Sequence, residues 1–424
     1  MKISSFPVKF RERLSFIIVI FFVMAYKSND ALSNAQFWAE DGYIFFKQQF
    51  GIAAPQLLVT HFGYLHIIPR IVAWLAYWLP IAKAPLIYNA CAIFLSATAI
   101  TMTCLRLRTY IPPWVVTMSF LAVPISGEIF GTITNVQWFM QFVLATYCFT
   151  PAQRSSTVVV SVLRSIGFLT ISLTGPFSIF LSIIVSTMLA AGWAAKRYHI
   201  DPFDGALGNF LENRDWHALS AMALGATMQA YMLASHPLTD NDVQEHLITH
   251  LRIAFTELVP IHMFGSNFLT EPAWILLYIL VLGTLFFSTR IDGRIRLIAL
   301  GFLALASLEI FASVAKIKDL SPLHQLPIGD RYFYMIKVVL WWVIWLTVAT
   351  NSKHRTTATA ITIGLICLFS ITNSQYFRRS TLTDYAWRDH AIQLSQPGAH
   401  TIPINPNPND WSFTVQTTDK IHRD

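Results

Sequence analysis

The chain is 424 residues long; 54% of the residues are hydrophobic and only 12% are charged, with 13 Trp and 32 Phe. Soluble domains carry about 25% charged residues, so this composition excludes an ordinary soluble enzyme. The formal charge of +7 is spread in small groups between apolar runs, as in the loops of membrane proteins. We therefore predict an all-α polytopic membrane protein that has the lipid bilayer as a partner and binds no nucleic acid.

Apolar runs long enough to cross ~30 Å of hydrocarbon recur along the chain. Their continuity argues against the short alternating strands of a membrane β-barrel. The first run follows a basic start and has no small-residue cleavage site, which is typical of an uncleaved first span. We predict about eleven transmembrane helices, near residues 13–27, 84–106, 113–127, 134–150, 157–173, 176–194, 216–235, 271–289, 296–315, 332–351 and 356–374.

The distribution of Lys and Arg between these runs indicates an orientation. Every second connection is basic, and the residues concerned are Arg106, Arg108, Arg154, Lys196, Arg197, Arg290, Arg294, Arg296, Lys353 and Arg355. The turns SGEIFGTIT and SLTGP between the other runs contain neither Lys nor Arg. The positive-inside rule then predicts a multi-pass protein with a cytoplasmic N-terminus and a C-terminus on the outer face.

One further apolar stretch, GYLHIIPRIVAWLAYWLP at residues 63–80, could itself span the membrane. Because counting it would place the later basic groups outside, we predict a helix along the outer membrane face, with its aromatic residues at headgroup depth. Residues 1–374 then form a transmembrane domain whose first outer loop is 28–83. Residues 375–424 form a short extracytoplasmic segment, which we expect to fold back over the outer surface.

Two adjacent acids in the first outer loop are the candidates for catalysis. Glu40 and Asp41 stand among aromatic side chains in NAQFWAEDGYIFFKQQFG. Partial burial raises the pKa of a carboxyl group toward the range that suits a general base. We predict that one of the two takes a proton from an acceptor hydroxyl, while the other orients it, binds the acceptor or holds a metal. The alternative is a solvated or helix-capping pair of loop acids.

Other residues of the outer regions are candidates for ligand binding. Arg70, in HFGYLHIIPR, and Arg331, in HQLPIGDRYFYMIK, would lie at headgroup depth, where a guanidinium can hold a lipid-linked phosphate. For Arg70 the alternative is an arginine that snorkels from an interfacial helix. Side chains suited to sugar or acceptor groups accompany them, namely Tyr64, His66, Asn135, Gln137, Trp138 and Tyr332.

The sequence contains no pattern for a bound cofactor. A Gly-rich phosphate loop is absent from it, so we expect no nucleotide-driven reaction on the inner face. The four cysteines lie in or beside apolar runs without metal-ligand spacing and are expected to be buried thiols. We predict no metal site and no required cofactor. Whether a divalent cation, Mg²⁺ or Mn²⁺, assists the reaction stays open.

Taken together, these motifs resemble the polytopic glycosyltransferases of the GT-C fold. The resemblance rests on WAEDG in the first outer loop, the GYLHIIPR helix after it, about eleven spans, and DRYFY at a late span. It is similar in particular to bacterial enzymes that use polyprenyl-phosphate-linked sugars, including the O-antigen-modifying glucosyltransferases. The resemblance implies a location in a bacterial inner membrane, with a cytoplasmic N-terminus and a periplasmic C-terminus. The resemblance implies an acidic catalytic site at Glu40 and Asp41 and a carrier-phosphate role for Arg331. The outer C-terminal part is shorter than in many relatives.

The activity that the resemblance implies is an inverting transfer of a hexose from a polyprenyl-phosphate donor to a glycan or lipid hydroxyl. Two other classes stay open. A transporter or flippase of lipid-linked sugars would use ionisable residues within spans, for which Arg164 and Glu309 are the candidates. An O-antigen polymerase or ligase would need a larger late outer loop than residues 316–331.

Overall fold

The computed structural model describes residues 10–123, 125, 127–152, 157–236, 247–326, 328–351, 355–406 and 411–417; Arg154 and Lys353 lie outside these ranges. The α-helices of this part are α1 (Phe10–Lys27), α2 (Lys47–Gln49), α3 (Ile67–Tyr77), α4 (Ala84–Leu107), α5 (Pro113–Leu121), α6 (Gln137–Phe149), α7 (Val158–Ser172), α8 (Phe177–Tyr198), α9 (Ala206–Glu212), α10 (Trp216–Ser235), α11 (Leu247–Ile253), α12 (Val259–Phe264), α13 (Glu271–Phe287), α14 (Gly293–Val314), α15 (Tyr334–Asn351), α16 (Arg355–Thr372) and α17 (Trp387–Gln393).

Shorter elements complete the described chain. Two π-helical turns, Asp41–Phe46 and Ala254–Leu258, continue into α2 and α12. Six 3₁₀ turns lie at Ile81–Lys83, Gly127–Ile129, Thr134–Val136, Ser321–His324, Asp330–Phe333 and Ser374–Tyr376. Strands β1 (Gly398–Pro403) and β2 (Ser412–Thr417) form one antiparallel hairpin, which the sequence analysis did not predict.

The protein is a predominantly helical, membrane-embedded protein. Five helices of the described part are long and apolar enough to cross a membrane: Ile81–Leu107, Phe177–Tyr198, Gly293–Val314, Asp330–Thr350 and Arg355–Thr372. Shorter apolar helices lie at Leu14–Lys27, Ile67–Tyr77, Val158–Ser172 and Glu271–Phe287.

Each of the eleven predicted segments contains a helix, but eleven full spans are not confirmed. The clearest departures are α5, with 9 residues, and α6, with 13 residues. At 1.5 Å per residue these helices are about 14 Å and about 20 Å long, short of ~30 Å of hydrocarbon. Nearly all of α6 is buried inside the bundle. Its ends are therefore covered by protein, which is the setting in which broken helices are tolerated at membrane depth.

The helix ends with the basic connections meet on one face of the bundle, which we call the Arg106 face. Arg106 Nε donates to Thr150 Oγ1 at 2.7 Å, which joins the end of α4 to the end of α6. Arg355 NH2 donates to the Tyr110 carbonyl at 2.7 Å, which joins the start of α16 to the connection after α4. The alternation of basic and non-basic connections in the sequence thus corresponds to two faces of the structure.

Residues 63–80 do not cross the bundle. Helix α3 has 11 residues, and both of its flanks are held on the opposite face, which we call the Glu40 face. Before α3, the Leu65 carbonyl accepts a hydrogen bond from Gly175 N at 3.0 Å. After it, the Ile81 carbonyl accepts from Trp387 Nε1 at 3.1 Å. Trp78 is 62% exposed at the end of α3. The prediction of a helix that does not span the membrane agrees with this geometry.

An aromatic core fixes the central helices against one another. Rings from α5, α6, α14 and α15 pack together: Phe120 and Phe142 have centroids 4.7 Å apart, and Phe302 lies 5.1 Å from Trp342. Gly301 of α14 allows this closeness, because a Cβ there would be 3.0 Å from the Phe149 ring. Small residues at helix contacts are typical of packing inside membranes.

Candidate functional site

Asp41 begins the π-helical turn of the first loop and is 1% exposed. Its Oδ2 accepts a hydrogen bond from Ile133 N at 2.9 Å. Its Oδ1 accepts from Thr134 N at 2.9 Å and from Thr134 Oγ1 at 2.5 Å. These donors belong to the turn that leads into α6, where the first N–H groups have no partner within the helix. Asp41 therefore uses both oxygens to hold the start of that helix.

The environment of Asp41 changes its acidity. Burial raises the pKa of Asp41 to about 7, against the hydrogen bonds from Thr134 and Ile133, which lower it; the neighbouring Glu40 charge raises it further. A carboxyl group with this pKa exchanges protons near neutral pH. Its lone pairs are nevertheless directed at three donors of the protein, so an acceptor hydroxyl would have to compete with all of them.

Glu40 is half-buried, and its carboxylate accepts no hydrogen bond from any residue that the structure describes. It lies close enough to His61, Tyr64, Glu128 and Arg331 to interact electrostatically with each of them. We call the set Glu40, His61, Tyr64, His66, Arg70, Glu128, Arg331 and Tyr332 the Glu40 cluster. In this cluster Glu40 is an acid with free lone pairs, in contrast to Asp41.

Arg331 lies at the mouth of the Glu40 cluster, with a side chain that is 26% exposed. Its backbone N donates to Glu128 Oε1 at 3.4 Å, and its NH1 lies 3.8 Å from Glu128 Oε2. Its NH2 donates to Tyr332 Oη at 3.3 Å. The contact to Glu128 is long, so the guanidinium keeps donors for a further anion.

Asp330, the sequence neighbour of Arg331, pairs with other side chains. Its Oδ1 accepts from Lys337 Nζ at 2.5 Å and lies 2.8 Å from His262 Nδ1. All three side chains are buried. This ion pair ties α12 to the start of α15 and holds the DRYF turn that presents Arg331. Neither Lys337 nor His262 stands out from its apolar run, so the sequence alone does not predict this ion pair.

Arg70 is 0% exposed, and none of its three side-chain nitrogens has a hydrogen-bond partner. Its guanidinium lies over the Phe45 ring, 5.0 Å from the centroid. Burial lowers the pKa of Arg70 to about 10, so the group stays charged at neutral pH. A buried charge without a hydrogen-bond partner costs several kcal/mol. An anionic ligand would remove that cost, which makes Arg70 the strongest anion-binding candidate in the cluster.

His66 is the second unsatisfied member of the Glu40 cluster. It is 1% exposed, and neither ring nitrogen has a partner. Burial, with smaller effects from His61 and Arg70, lowers the pKa of His66 to about 3. The ring is therefore neutral at pH 7 and can donate one hydrogen bond and accept another. Its centroid lies 4.6 Å from that of Tyr64, and burial also raises the pKa of the Tyr64 hydroxyl.

The segment that carries Tyr64 and His66 is fixed to the bundle by a buried glutamine. Gln229 of α10 accepts from Leu65 N at 2.8 Å and donates to the carbonyls of Leu65 (3.1 Å) and Gly175 (3.0 Å). Thr174 Oγ1 accepts from Ile68 N at 3.1 Å at the start of α3. Gln229 was not among the predicted site residues; the only signal for it in the sequence is a polar side chain within an apolar helix.

The remaining predicted ligands divide into two groups. Trp138 and Tyr332 belong together, with ring centroids 6.3 Å apart, and Trp138 Nε1 is buried without a partner. Gln137 Oε1 is also buried without a partner. Asn135 instead donates to the Glu128 carbonyl at 2.7 Å and to Thr132 Oγ1 at 3.0 Å. Both bonds use its amide nitrogen, so with that nitrogen Asn135 holds the turn before α6, and its role in binding stays a prediction.

The C-terminal segment covers the first outer loop. Asn405 N donates to the Phe37 carbonyl at 3.1 Å, and Ala39 N donates to the Asn405 carbonyl at 2.5 Å. Trp387 packs against Phe46 with ring centroids 5.4 Å apart. The tail thus folds back, as predicted, onto the strand-like stretch that precedes Glu40, and it keeps that loop in place.

Two further observations bear on what the site could bind. In the described ranges no group of three or more His, Cys, Asp or Glu side chains could hold a metal ion, and the expectation of a divalent cation stays untested. No protein-family model matches the chain, and neither a curated protein nor a solved structure is measurably similar to it.

Proposed function

We propose that the protein is a glycosyltransferase of the GT-C type, with about eleven spans, in a bacterial inner membrane. It moves a hexose from a polyprenyl-phosphate carrier to a hydroxyl of a glycan or lipid on the outer face, with inversion. The observation that carries the proposal is the pairing of an unbonded acid, Glu40, with two guanidinium groups that have donors to spare, Arg70 and Arg331. A general base and an anion site are what this reaction needs.

The steps follow from the charges of the cluster. Arg70 and Arg331 hold the carrier phosphate, and His66 and Tyr64 offer neutral hydrogen bonds beside it. Glu40 accepts the proton of the acceptor hydroxyl, and the oxygen of that hydroxyl forms a bond to the anomeric carbon. The bond from that carbon to the carrier oxygen breaks, and the lipid phosphate leaves as an anion held by the guanidinium groups. Trp138 and Tyr332 offer ring faces for the sugar.

Asp41 has a different part in this proposal. Its three hydrogen bonds from Ile133 and Thr134 fix the backbone of the loop, and therefore fix the position of the adjacent Glu40. Asp41 is a positioning residue, whereas Glu40 is the base.

The proposal is tested with purified protein in lipid and a radiolabelled polyprenyl-phosphate sugar. Glu40→Gln should lower the transfer rate by about 10²–10⁴-fold, the usual contribution of a general base, without changing the thermal unfolding midpoint. Glu271→Gln is the matched control, since Glu271 is a partly exposed acid that pairs with Arg252 at the start of α13. Equal rates for the two variants would show that Glu40 is not the base.

A transporter or flippase of lipid-linked sugars is the second candidate, and one buried acid favours it. Glu309 of α14 is 2% exposed; its Oε2 accepts from Gln141 Nε2 at 3.3 Å, and its Oε1 has no partner. Arg164, in contrast, is held by Asp215 at 3.4 Å. Movement of the labelled lipid across a vesicle membrane without any sugar transfer, lost in Glu309→Gln, would establish the transporter instead.

A further inference from the structure

A cavity of about 170 Å³ opens on the Arg106 face, far from the Glu40 cluster. It lies between the end of α6, the short helix α9 and the start of α14. Its walls are partly apolar, from Phe149, Phe210 and Leu297, and partly polar, from Thr150, Asn209 and Arg294. One water needs only about 10–15 Å³, so the space fits a larger molecule with both a polar and an apolar part.

Two arginines make this cavity electropositive. Arg294 lines it and is exposed, and its guanidinium has no hydrogen-bond partner among the described residues. Arg106 stands behind the wall: its Nε donates to Thr150 Oγ1 at 2.7 Å and its NH2 to the Pro151 carbonyl at 2.5 Å. Its NH1 is buried without a partner. One unused positively charged donor group therefore lines the cavity, and a second positive charge lies buried behind its wall.

Two acids near the cavity cap helices. Asp292 accepts from Arg294 N at 2.8 Å as the cap of α14. Asp215 accepts from Arg164 NH2 at 3.4 Å and caps α10 by accepting from His217 N at 3.2 Å. Each carboxylate thus serves a helix start. Asp215 also interacts electrostatically with Arg106, and its Oδ2 is buried without a partner, whereas the Arg294 guanidinium accompanies no such acid in the cavity lining.

We propose that this cavity binds the phosphate-bearing headgroup of an anionic phospholipid. The position at helix ends is the depth at which headgroups lie, and basic pockets between membrane helices bind such headgroups. The phosphate would be held by the Arg294 guanidinium, with the buried charge of Arg106 behind the Thr150 wall, and Asn209 is available to glycerol oxygens. The apolar wall takes the first methylenes of the chains.

The test uses the purified full chain in detergent, with phosphatidylglycerol, phosphatidylcholine or inorganic phosphate added. The thermal unfolding midpoint is measured for each addition, and native mass spectrometry counts the bound lipids. Phosphatidylglycerol should raise the unfolding midpoint, and the increase should level off at high lipid concentration. Phosphatidylcholine and inorganic phosphate should not raise it. Arg294→Ala should raise the half-saturating lipid concentration about tenfold, as the loss of one charge-assisted bond of ~1.5 kcal/mol does. Arg290→Ala is the control, because Arg290 is an exposed neighbour outside the cavity lining.

A second variant separates the cavity from general surface charge. Ala152→Trp, at an exposed lining position, should abolish the saturable effect while leaving the midpoint without lipid unchanged. The proposal is wrong if the two lipids stabilise equally, or if Arg294→Ala and Arg290→Ala behave alike. It is equally wrong if inorganic phosphate alone gives the full effect, which would make this a free-phosphate site.

Discussion

Thr134 donates two hydrogen bonds to Asp41, one from its backbone N at 2.9 Å and one from its hydroxyl at 2.5 Å. This contact joins residues that are 93 positions apart and connects the first outer loop to the start of α6. The adjacent Glu40 makes no comparable bond within the described chain and lies beside Arg331 instead. Two neighbouring acids of the same motif thus have opposite surroundings, and the predictions begin from that difference.

Removing the Asp41 side chain should destabilise the protein. Asp41→Ala leaves Ile133 N, Thr134 N and the Thr134 hydroxyl without an acceptor in a buried place. Each unsatisfied donor costs about 1–3 kcal/mol, so the thermal unfolding midpoint should fall by several degrees. Asp389→Ala, at an exposed position in α17, is the control and should leave it unchanged. Equal midpoints for the two variants would contradict the capping role.

Stability should also depend on pH through Asp41. Burial raises its pKa from 3.8 to about 7, so the folded chain binds this proton more tightly than the unfolded chain does. The resulting stabilisation is complete below about pH 4 and is lost as the pH rises through about 7, with a size on the order of a few kcal/mol. Unfolding midpoints between pH 4 and 8 should therefore fall more steeply for the wild type than for Asp41→Asn; parallel curves would refute this.

Arg70 should show opposite effects on stability and on function. Arg70→Met replaces a buried, unpartnered charge with an apolar side chain of similar length, which is often neutral or stabilising. We expect an equal or higher unfolding midpoint together with a loss of polyprenyl-phosphate affinity of about 10²-fold, measured by ligand-induced stabilisation. Arg296→Met is the contrasting variant. Arg296 donates hydrogen bonds to the Phe286 carbonyl and to Asp204, so this substitution should destabilise the protein. A stability loss in Arg70→Met would show that Arg70 is structural.

Gly175 should tolerate no side chain. It has φ +86°, and a Cβ would lie 2.2 Å from Gln137 Oε1, in the turn whose carbonyl Gln229 binds. Gly51 has φ +72° but nothing within 4 Å of a Cβ, so Gly51→Ala measures backbone strain alone, about 1–2 kcal/mol. Gly175→Ala should lower the unfolding midpoint clearly more than Gly51→Ala. Similar shifts would mean that Gln137 moves aside freely.

The sequence predicted the helical elements and the two faces, because apolar runs and basic connections are local signals. Each of the eleven segments predicted to span the membrane contains a helix, but eleven full spans are not confirmed. The predicted lengths of α5 and α6 were too long, since an apolar run does not reveal where buried backbone leaves the helix. The β1–β2 hairpin was missed because Pro and Asn dominate that part of the tail.

The sequence shows the residue types of the candidate site but not their contacts. Glu40 and Asp41 look alike in the sequence, and only the long-range contact to Thr134 distinguishes them. Arg331 pairs with Glu128, and Lys337 and His262 hold the adjacent Asp330. Gln229 and the cavity beside Arg294 depend on helix packing, which no local pattern encodes.

The most direct test is the single-turnover rate of sugar transfer with the donor already bound, compared between Glu40→Gln and Asp41→Asn at a temperature where both variants are folded. If Glu40 is the base, Glu40→Gln is slower than the wild type by about 10²-fold or more, and Asp41→Asn stays within about tenfold. A wild-type rate in Glu40→Gln, or the reverse order of the two variants, would contradict the account.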